Sequence, residues 1–303
     1  MHRTCARLAI SIAVIGLLPA AAAAAADAPF FFSTGDPDGK IATATRPDTG
    51  APFEIESADD FALTHATSIT GGTFTGLMPA GASVEDVVVE IYRVFPKDSD
   101  VGRTPNVPTR VNSPSDVAFA SRDSGSGLTF STNLLAASFT AANSVQPGGI
   151  HPKPGETTGG DGGVTDEEVQ FGVTFTTPFL LPADHYFFVP QVQLDDGDFL
   201  WLSAPRPIVA PGTPFPAGFT DLQSWTRDAM LDPDWLRVGQ DIVGGNPFPT
   251  FNAAFSLSGS VVPEPSTWAM VLLGFAALGF AGYRRVSHVR AKATLSRTSL
   301  ANL

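Results

Sequence analysis

The sequence predicts an all-β fold, an antiparallel β-sandwich of jelly-roll-like type, lying between an N-terminal leader and a C-terminal apolar span. Three observations predict it. Strand-period alternation recurs along residues 27–262, clusters rich in Gly, Pro and Asp separate the alternating runs, and no part of that region has a convincing amphipathic helical pattern. The 23 Phe, 29 Gly and 26 Pro among 303 residues suit an aromatic core, short strands and many turns.

Residues 1–26 stand outside that fold. Arg3 and Arg7 form a charged start, "LAISIAVIGLL" is an apolar core and "PAAAAAA" supplies small residues for cleavage. This is the pattern of a secretory signal peptide, with an apolar core too short to span a bilayer comfortably. The one cysteine, Cys5, lies in this segment. The exported body therefore has no disulfide, and its stability comes from its core or from bound ions.

Within the body, "VEDVVVEIYRVF" sets Val87, Val89 and Ile91 against Glu90 and Tyr92, and "EVQFGVTFT" sets Val169, Phe171, Val173 and Phe175 against the polar residues between them. "FNAAFSLSG" repeats the alternation with Phe251, Ala253, Phe255 and Leu257. "DHYFFVPQVQL" and "DFLWLSA" are denser in apolar residues, as central strands are, and this predicts a buried Trp201. "SITGGTFTG" reads as a strand with a bulge. "FTDLQSWTRDAMLDPDWLRVG" fits a short helix through Leu222, Trp225 and Ala229 or a strand and turn equally well. Three long connections, near 96–116, 143–168 and 203–219, have the length of functional or mobile loops.

Charge is uneven. Residues 27–262 hold 11 Lys/Arg against 29 Asp/Glu, a net charge of −18, whereas the whole chain is −12. A body this acidic repels nucleic acid and anionic membranes, so nucleic-acid binding is set aside. Nucleophilic catalysis is poorly supported: the body's three histidines (His65, His151 and His185) sit beside no nucleophile-elbow motif, and "SGSG" around Ser126 reads as a turn. Paired carboxylates cannot be singled out among so many acids. Zinc lacks a ligand cluster.

Calcium is the better metal candidate. Asp36 and Asp38 in "GDPDGK", Asp195, Asp196 and Asp198 in "LDDGDF", and the acids of "GGDGGVTDEE" place hard oxygen ligands on Gly-rich loops. None completes a twelve-residue EF-hand loop, and Asp-Gly is also ordinary turn chemistry. For sugar stacking, Trp225 and Trp235 in a polar stretch are the expected exposed pair, with Tyr92 as a third flat face.

The C-terminal region answers where the protein goes. Residues 267–283 carry no formal charge and, as a helix, span about 26 Å, slightly short of a typical hydrocarbon core. Trp268 and Tyr283 suit the interfaces. Arg284 and Arg285 open a basic tail, 286–303, that stays cytoplasmic, so the body faces outward. "VPEPSTWAMVLLGFAALGFAGYRR" resembles the PEP-CTERM sorting signal in three features in fixed order: Pro263-Glu264-Pro265, the apolar span with Trp268-Ala269-Met270, and Arg284-Arg285. The resemblance implies recognition by an exosortase, a membrane cysteine protease-transpeptidase, in a Gram-negative bacterium that makes exopolysaccharide. Signals of that kind usually end within a few residues of the arginines, whereas this chain runs on from Val286 to Leu303. "IESADDFAL" followed by "TSITGGTFTG" resembles a phrase of uncharacterised secreted bacterial β-sandwich domains, which implies Asp59-Asp60 near a strand start.

The expectation is a non-enzymatic exported protein. It is held first in the inner membrane by one span with a periplasmic body, and then reaches the cell surface or extracellular matrix. A secreted carbohydrate-binding module, calcium-dependent or not, is the alternative, and a hydrolase the third.

Overall fold

The computed structural model describes residues 28–50, 53–104, 107–151, 157–262, 272–280 and 283–284. The expected signal peptide (1–26), the tail (286–303) and Pro263, Glu264, Pro265, Trp268, Ala269, Met270 and Arg285 lie outside the described residues.

Among the described residues, strands dominate. They are β1 (Pro29–Ser33), β2 (Ile41–Ala44), β3 (Ile55–Leu63), β4 (Thr67–Met78), β5 (Val84–Arg93), β6 (Ala120–Asp123), β7 (Leu128–Ala141), β8 (Asn143–Val145), β9 (Val164–Leu181), β10 (Asp184–Leu194), β11 (Leu200–Ala204), β12 (Trp225–Asp228), β13 (Leu236–Arg237), β14 (Asn252–Ala253) and β15 (Phe255–Val261). They form two sheets. The first has nine strands along β1-β15-β4-β11-β2-β8, with β9 on the other side of β4, β7 beyond β9, and β14 on β11. The second has six in the order β13-β12-β3-β10-β5-β6. Pairing is antiparallel except between β2 and β8. β3 runs beside β10 in one sheet while β4 runs beside β9 in the other, so the chain crosses between the layers as a double strand.

The alternation explains the packing. Val87, Val89 and Ile91 of β5, Phe61 and Leu63 of β3, and Tyr186, Phe188 and Val192 of β10 meet Phe74, Val169, Phe171, Val173, Phe175, Phe255 and Leu257 from the nine-stranded sheet in one core. Phe188 stacks on Phe255 at 5.1 Å and Phe74 on Phe171 at 5.0 Å between ring centroids, offset contacts worth about 0.5–1.5 kcal/mol each beyond the area they bury. Trp201 is buried as expected, its indole N–H donating to the Ala254 carbonyl at 3.0 Å. Gly76 has a specific reason to lack a side chain: a Cβ there would enter the Phe199 ring. The bulge expected in "SITGGTFTG" occurs as a register shift against β9 between Ile69 and Gly71.

The ambiguous segment around Trp225 is strand and turn, not helix: β12 and β13 pair with each other, and β12 adds to β3. It helps form a second cluster, with Ala58, Tyr92, Phe187, Val189, Leu222, Trp225 and Trp235. The six-stranded sheet therefore has apolar side chains on both faces. Asp59-Asp60 is a correction. The pair lies in the middle of β3, every residue of which is buried, rather than near a strand start.

Candidate functional site

The sorting segment begins directly at the end of the sheet. Val261 N–H donates to the Ala28 carbonyl and Val262 N–H to the Ala66 carbonyl, each at 2.8 Å, and Pro263 is the next residue. The two ends of the described body thus lie side by side. Residues 272–280 are helical and expose Leu272, Leu273, Phe275, Leu278 and Phe280. Such a helix, apolar all round, has no favourable face for water. Arg284 holds its guanidinium 5.9 Å from the Phe280 ring centroid. Among the described residues no helix is long and apolar enough to cross a membrane, and the expected 267–283 span falls partly outside them.

The aromatic residues expected to face sugar are not on the surface. Trp225 is 0%, Trp235 1% and Tyr92 3% exposed, so the expected exposed stacking pair is corrected to buried packing. Their polar neighbours misled because one of them, Arg227, is itself buried. Its guanidinium lies 4.3 Å from the Trp235 ring centroid and 5.4 Å from that of Tyr92, and Tyr92 meets Trp235 edge-on at 5.3 Å. Arg227 Nε donates to Glu56, Nη2 to Tyr92 Oη at 3.0 Å, and Nη1 to Asp232 at 2.8 Å. The aromatic faces are used on a cation of the chain itself.

Three carboxylates converge beside this cage. Glu54, Glu56 and Glu90 each bring an oxygen within 4.8 Å of the others. Tyr92 Oη lies 2.5 Å from Glu56 Oε1 and 2.9 Å from Glu90 Oε2, and Gln191 Nε2 donates to Glu54 at 3.0 Å. Burial, and then the charge and hydrogen bond of Glu56, push Glu90 up to about 8. Burial with Glu56 also raises Glu54. Arg227 is held above its ordinary value: burial opposes its charge, and Glu56 and Tyr92 more than offset that. Glu90 is thus protonated at neutral pH. Arg227 already neutralises Glu56, so the arrangement is an acid cluster balanced by an arginine. It could take a cation only by losing the Glu90 proton.

Asp59 and Asp60 fasten distant segments to β3. Asp59 accepts from Ser224 Oγ at 2.8 Å and the Ala253 N–H at 2.9 Å; Asp60 accepts the Leu222 N–H at 3.1 Å and faces His185 Nε2 at 2.5 Å. Burial raises both, Asp59 well above the usual carboxylate range, with Asp60 adding to it. Next to them is a cleft of about 450 Å³, lined among others by Arg206, Asp221, Gln223, Arg237, Gln240 and Phe248. Arg206 pairs with Asp221 at 3.3 Å and Arg237 with Asp241 at 2.5 Å. Burial pushes Asp221 up to about 6, Arg206 opposing and Asp60 adding. Sequence reasoning missed this cleft because its lining comes from segments far apart in the chain, within 109–112, Arg206, 220–223, Arg237, Gln240 and 248–250.

Among the described residues the candidate calcium loops form no common site, although Asp36 lies close enough to Glu168 to add to the rise that burial causes there. Asp38 pairs with Lys40 at 2.8 Å and accepts from Ser203 Oγ at 2.5 Å, Asp195 accepts the Ser83 N–H at 2.7 Å, and Asp198 pairs with Arg46. Asp36 and Asp196 belong to no converging group: among the described residues, the one metal-compatible group is the glutamate cluster.

With this geometry in place, the comparisons with known proteins give one finding. Residues 261–285 match the PEP-CTERM protein-sorting motif. No curated protein and no solved structure matches the chain. The motif marks the chain as an exported protein sorted by an exosortase.

Proposed function

We propose that the chain is a non-enzymatic protein of the cell surface or extracellular polymer matrix of an exopolysaccharide-producing bacterium. A signal peptide at 1–26 exports the body. The 267–283 span then holds it as a single-pass inner-membrane protein with a periplasmic body, until an exosortase acts near Pro263-Glu264-Pro265. The observation that supports this reading is the motif match beginning at Val261, the last residue of β15. Because the Ala28 end lies beside it, leader and span can hold the body to one bilayer patch together. The helical residues 272–280, exposed and apolar, suit a lipid surrounding.

Deleting residues 263–285 tests it. The expected outcome is a folded body that loses membrane attachment and exosortase-dependent maturation. Unchanged distribution between membrane, surface and medium would contradict the reading.

The cleft supports a second reading, a carbohydrate-binding module. Its two arginines are paired with aspartates of the same chain, so it offers amides, guanidinium N–H groups and carboxylate oxygens with little net charge, beside the ring of Phe248. That lining suits a polyhydroxylated ligand. The protein is then expected to sediment with insoluble polysaccharide equally well with and without chelator, and Gln240→Ala to weaken retention. No retention would remove this reading and leave the first untouched.

A further inference from the structure

Charge divides the two sheets. Every strand of the six-stranded sheet carries a charged residue, from Arg237 in β13 to Arg122 and Asp123 in β6. Eight strands of the nine-stranded sheet carry none, and the three acids of β9, Asp166, Glu167 and Glu168, stand at its start. β2 and β11 are buried throughout, so β1, β15, β4, β9 and β7 form the open outer wall of that sheet. Arg122 reaches across to β9, but there it packs over the Phe179 ring, on the core side. Pairing sets the wall's residues in rows: Pro29, Ser260, Ser68 and Leu180 in one, and Phe31, Ser258, Gly71 and Thr174 in another. These face away from the core, because Phe32, Leu257, Ile69, Phe179 and Leu181, which alternate with them, lie in it. Among the hydroxyls of this wall, Phe31 is 59% and Leu180 70% exposed.

We infer that the corner of this wall around Phe31, Leu180 and Val262 rests in the headgroup layer of the bilayer that holds the chain. The inference rests on the proposed membrane attachment and adds an orientation to it: the body lies on its uncharged wall, with its carboxylates turned to water.

The chain's exit selects the bilayer as the occupant. Ser260 and Ser258 precede Val262 by two and four residues, so the two rows lie about 7 and 14 Å up the strand from it. Thr267, where the proposed span begins, follows Val262 by five residues, at most about 18 Å of extended chain. The tether is therefore as short as the corner is tall, and a lipid surface is the partner that the chain itself keeps beside Phe31 and Leu180. Charge agrees with this placement. A body of −18 is repelled by anionic headgroups, and the nine-stranded wall is the side on which it meets them without presenting carboxylates. The hydroxyls of Ser68, Ser258, Ser260 and Thr174 can donate to phosphate and ester oxygens. Phe31, Leu180 and the part-exposed Val262 supply the apolar contacts that interfacial segments make with the acyl boundary.

The test uses the full chain in a Cys5→Ser background, which leaves no other thiol, reconstituted in phosphatidylcholine vesicles doped with a lipid spin-labelled at its headgroup. Ser258→Cys carries a bimane fluorophore at an exposed position of the corner, and Ser121→Cys carries one on β6, exposed at the outer edge of the other sheet. The Ser258 probe is expected to lose most of its fluorescence to the spin label, and the Ser121 probe to keep it. Adding Phe31→Asp and Leu180→Asp, both at exposed positions that leave the core intact, is expected to restore the Ser258 signal while the protein stays on the vesicles. A vesicle-bound protein whose two probes are equally bright or equally quenched would overturn the inference and leave membrane attachment standing. So would quenching at Ser258 that the two aspartates do not relieve, or a Ser258 probe covered without vesicles by soluble polysaccharide or by a second copy. A chain that does not bind the vesicles at all would remove the proposed attachment, and this inference with it.

Discussion

Replacing Arg227 by alanine is expected to destabilise the body by about 3–5 kcal/mol, the range for removing one partner of a buried ion pair. Arg227 and Glu56 are both buried, and the guanidinium also holds Tyr92, Asp232 and the face of Trp235. Without it, Glu56 is left buried without its cation, and the space between two aromatic rings is empty. For a domain of this size the loss corresponds to a fall in melting temperature on the order of 10 °C. Arg227→Lys is expected to recover only part of it, because a point charge cannot serve Glu56, Tyr92 and Asp232 from one planar fork. Adding Glu56→Gln to Arg227→Ala removes the stranded charge and is expected to restore a measurable share. Urea unfolding of the parent and the three variants at neutral pH checks this. An Arg227→Ala protein within about 1 kcal/mol of the parent would show that the cage is not a structural centre.

The second large effect is a fall in stability as pH rises. Glu90 is raised from 4.5 to about 8 by burial and by Glu56. The folded state binds this proton more tightly than the unfolded state does. Its contribution is therefore complete below about pH 4.5 and is lost as pH rises through about 8. At about 1.4 kcal/mol per pKa unit, the full window carries on the order of 5 kcal/mol. Asp221, raised to about 6, acts with the same sign, but most of its contribution is gone by neutral pH. Glu90→Gln keeps the shape and a hydrogen bond to Tyr92 and removes the titration. Its stability is expected to change less than the parent's between pH 7 and 9, and to exceed the parent's at the alkaline end. Parallel stability curves for the two proteins would contradict the assignment.

What could be read from sequence, and what could not, divides along physical lines. β5 and β9 were legible because a strand with one face in the core writes its burial into every second residue, and Val87, Val89, Ile91, Val169 and Phe171 sit where that period puts them. β10 and β11 were legible by density. Trp225 and Trp235 were not, because their neighbours Ser224, Thr226, Arg227 and Asp228 look like a surface. All four are buried; Ser224, Thr226 and Arg227 are satisfied by groups as far away as Asp59, Glu56 and Tyr92, and Asp228 accepts the Met230 and Leu231 N–H groups. Asp59-Asp60 misled for the same reason: a carboxylate in mid-strand is costly unless distant donors meet it, and here Leu222 and Ala253 do. A local pattern reports on a residue's own chain neighbourhood. Partners more than 150 positions away leave no period to detect. The sorting motif is the opposite case, a linear signal read in order, and residues 261–285 match it as such.

The intact mass of the protein recovered from cells and from medium bears most directly on the claim that these residues direct the body rather than work within it. The expected result is a full-length or leader-cleaved species in the membrane fraction, and a mature species that ends near Glu264 and lacks the apolar segment. A mature, correctly localised protein that still carries residues 267–285 would contradict it.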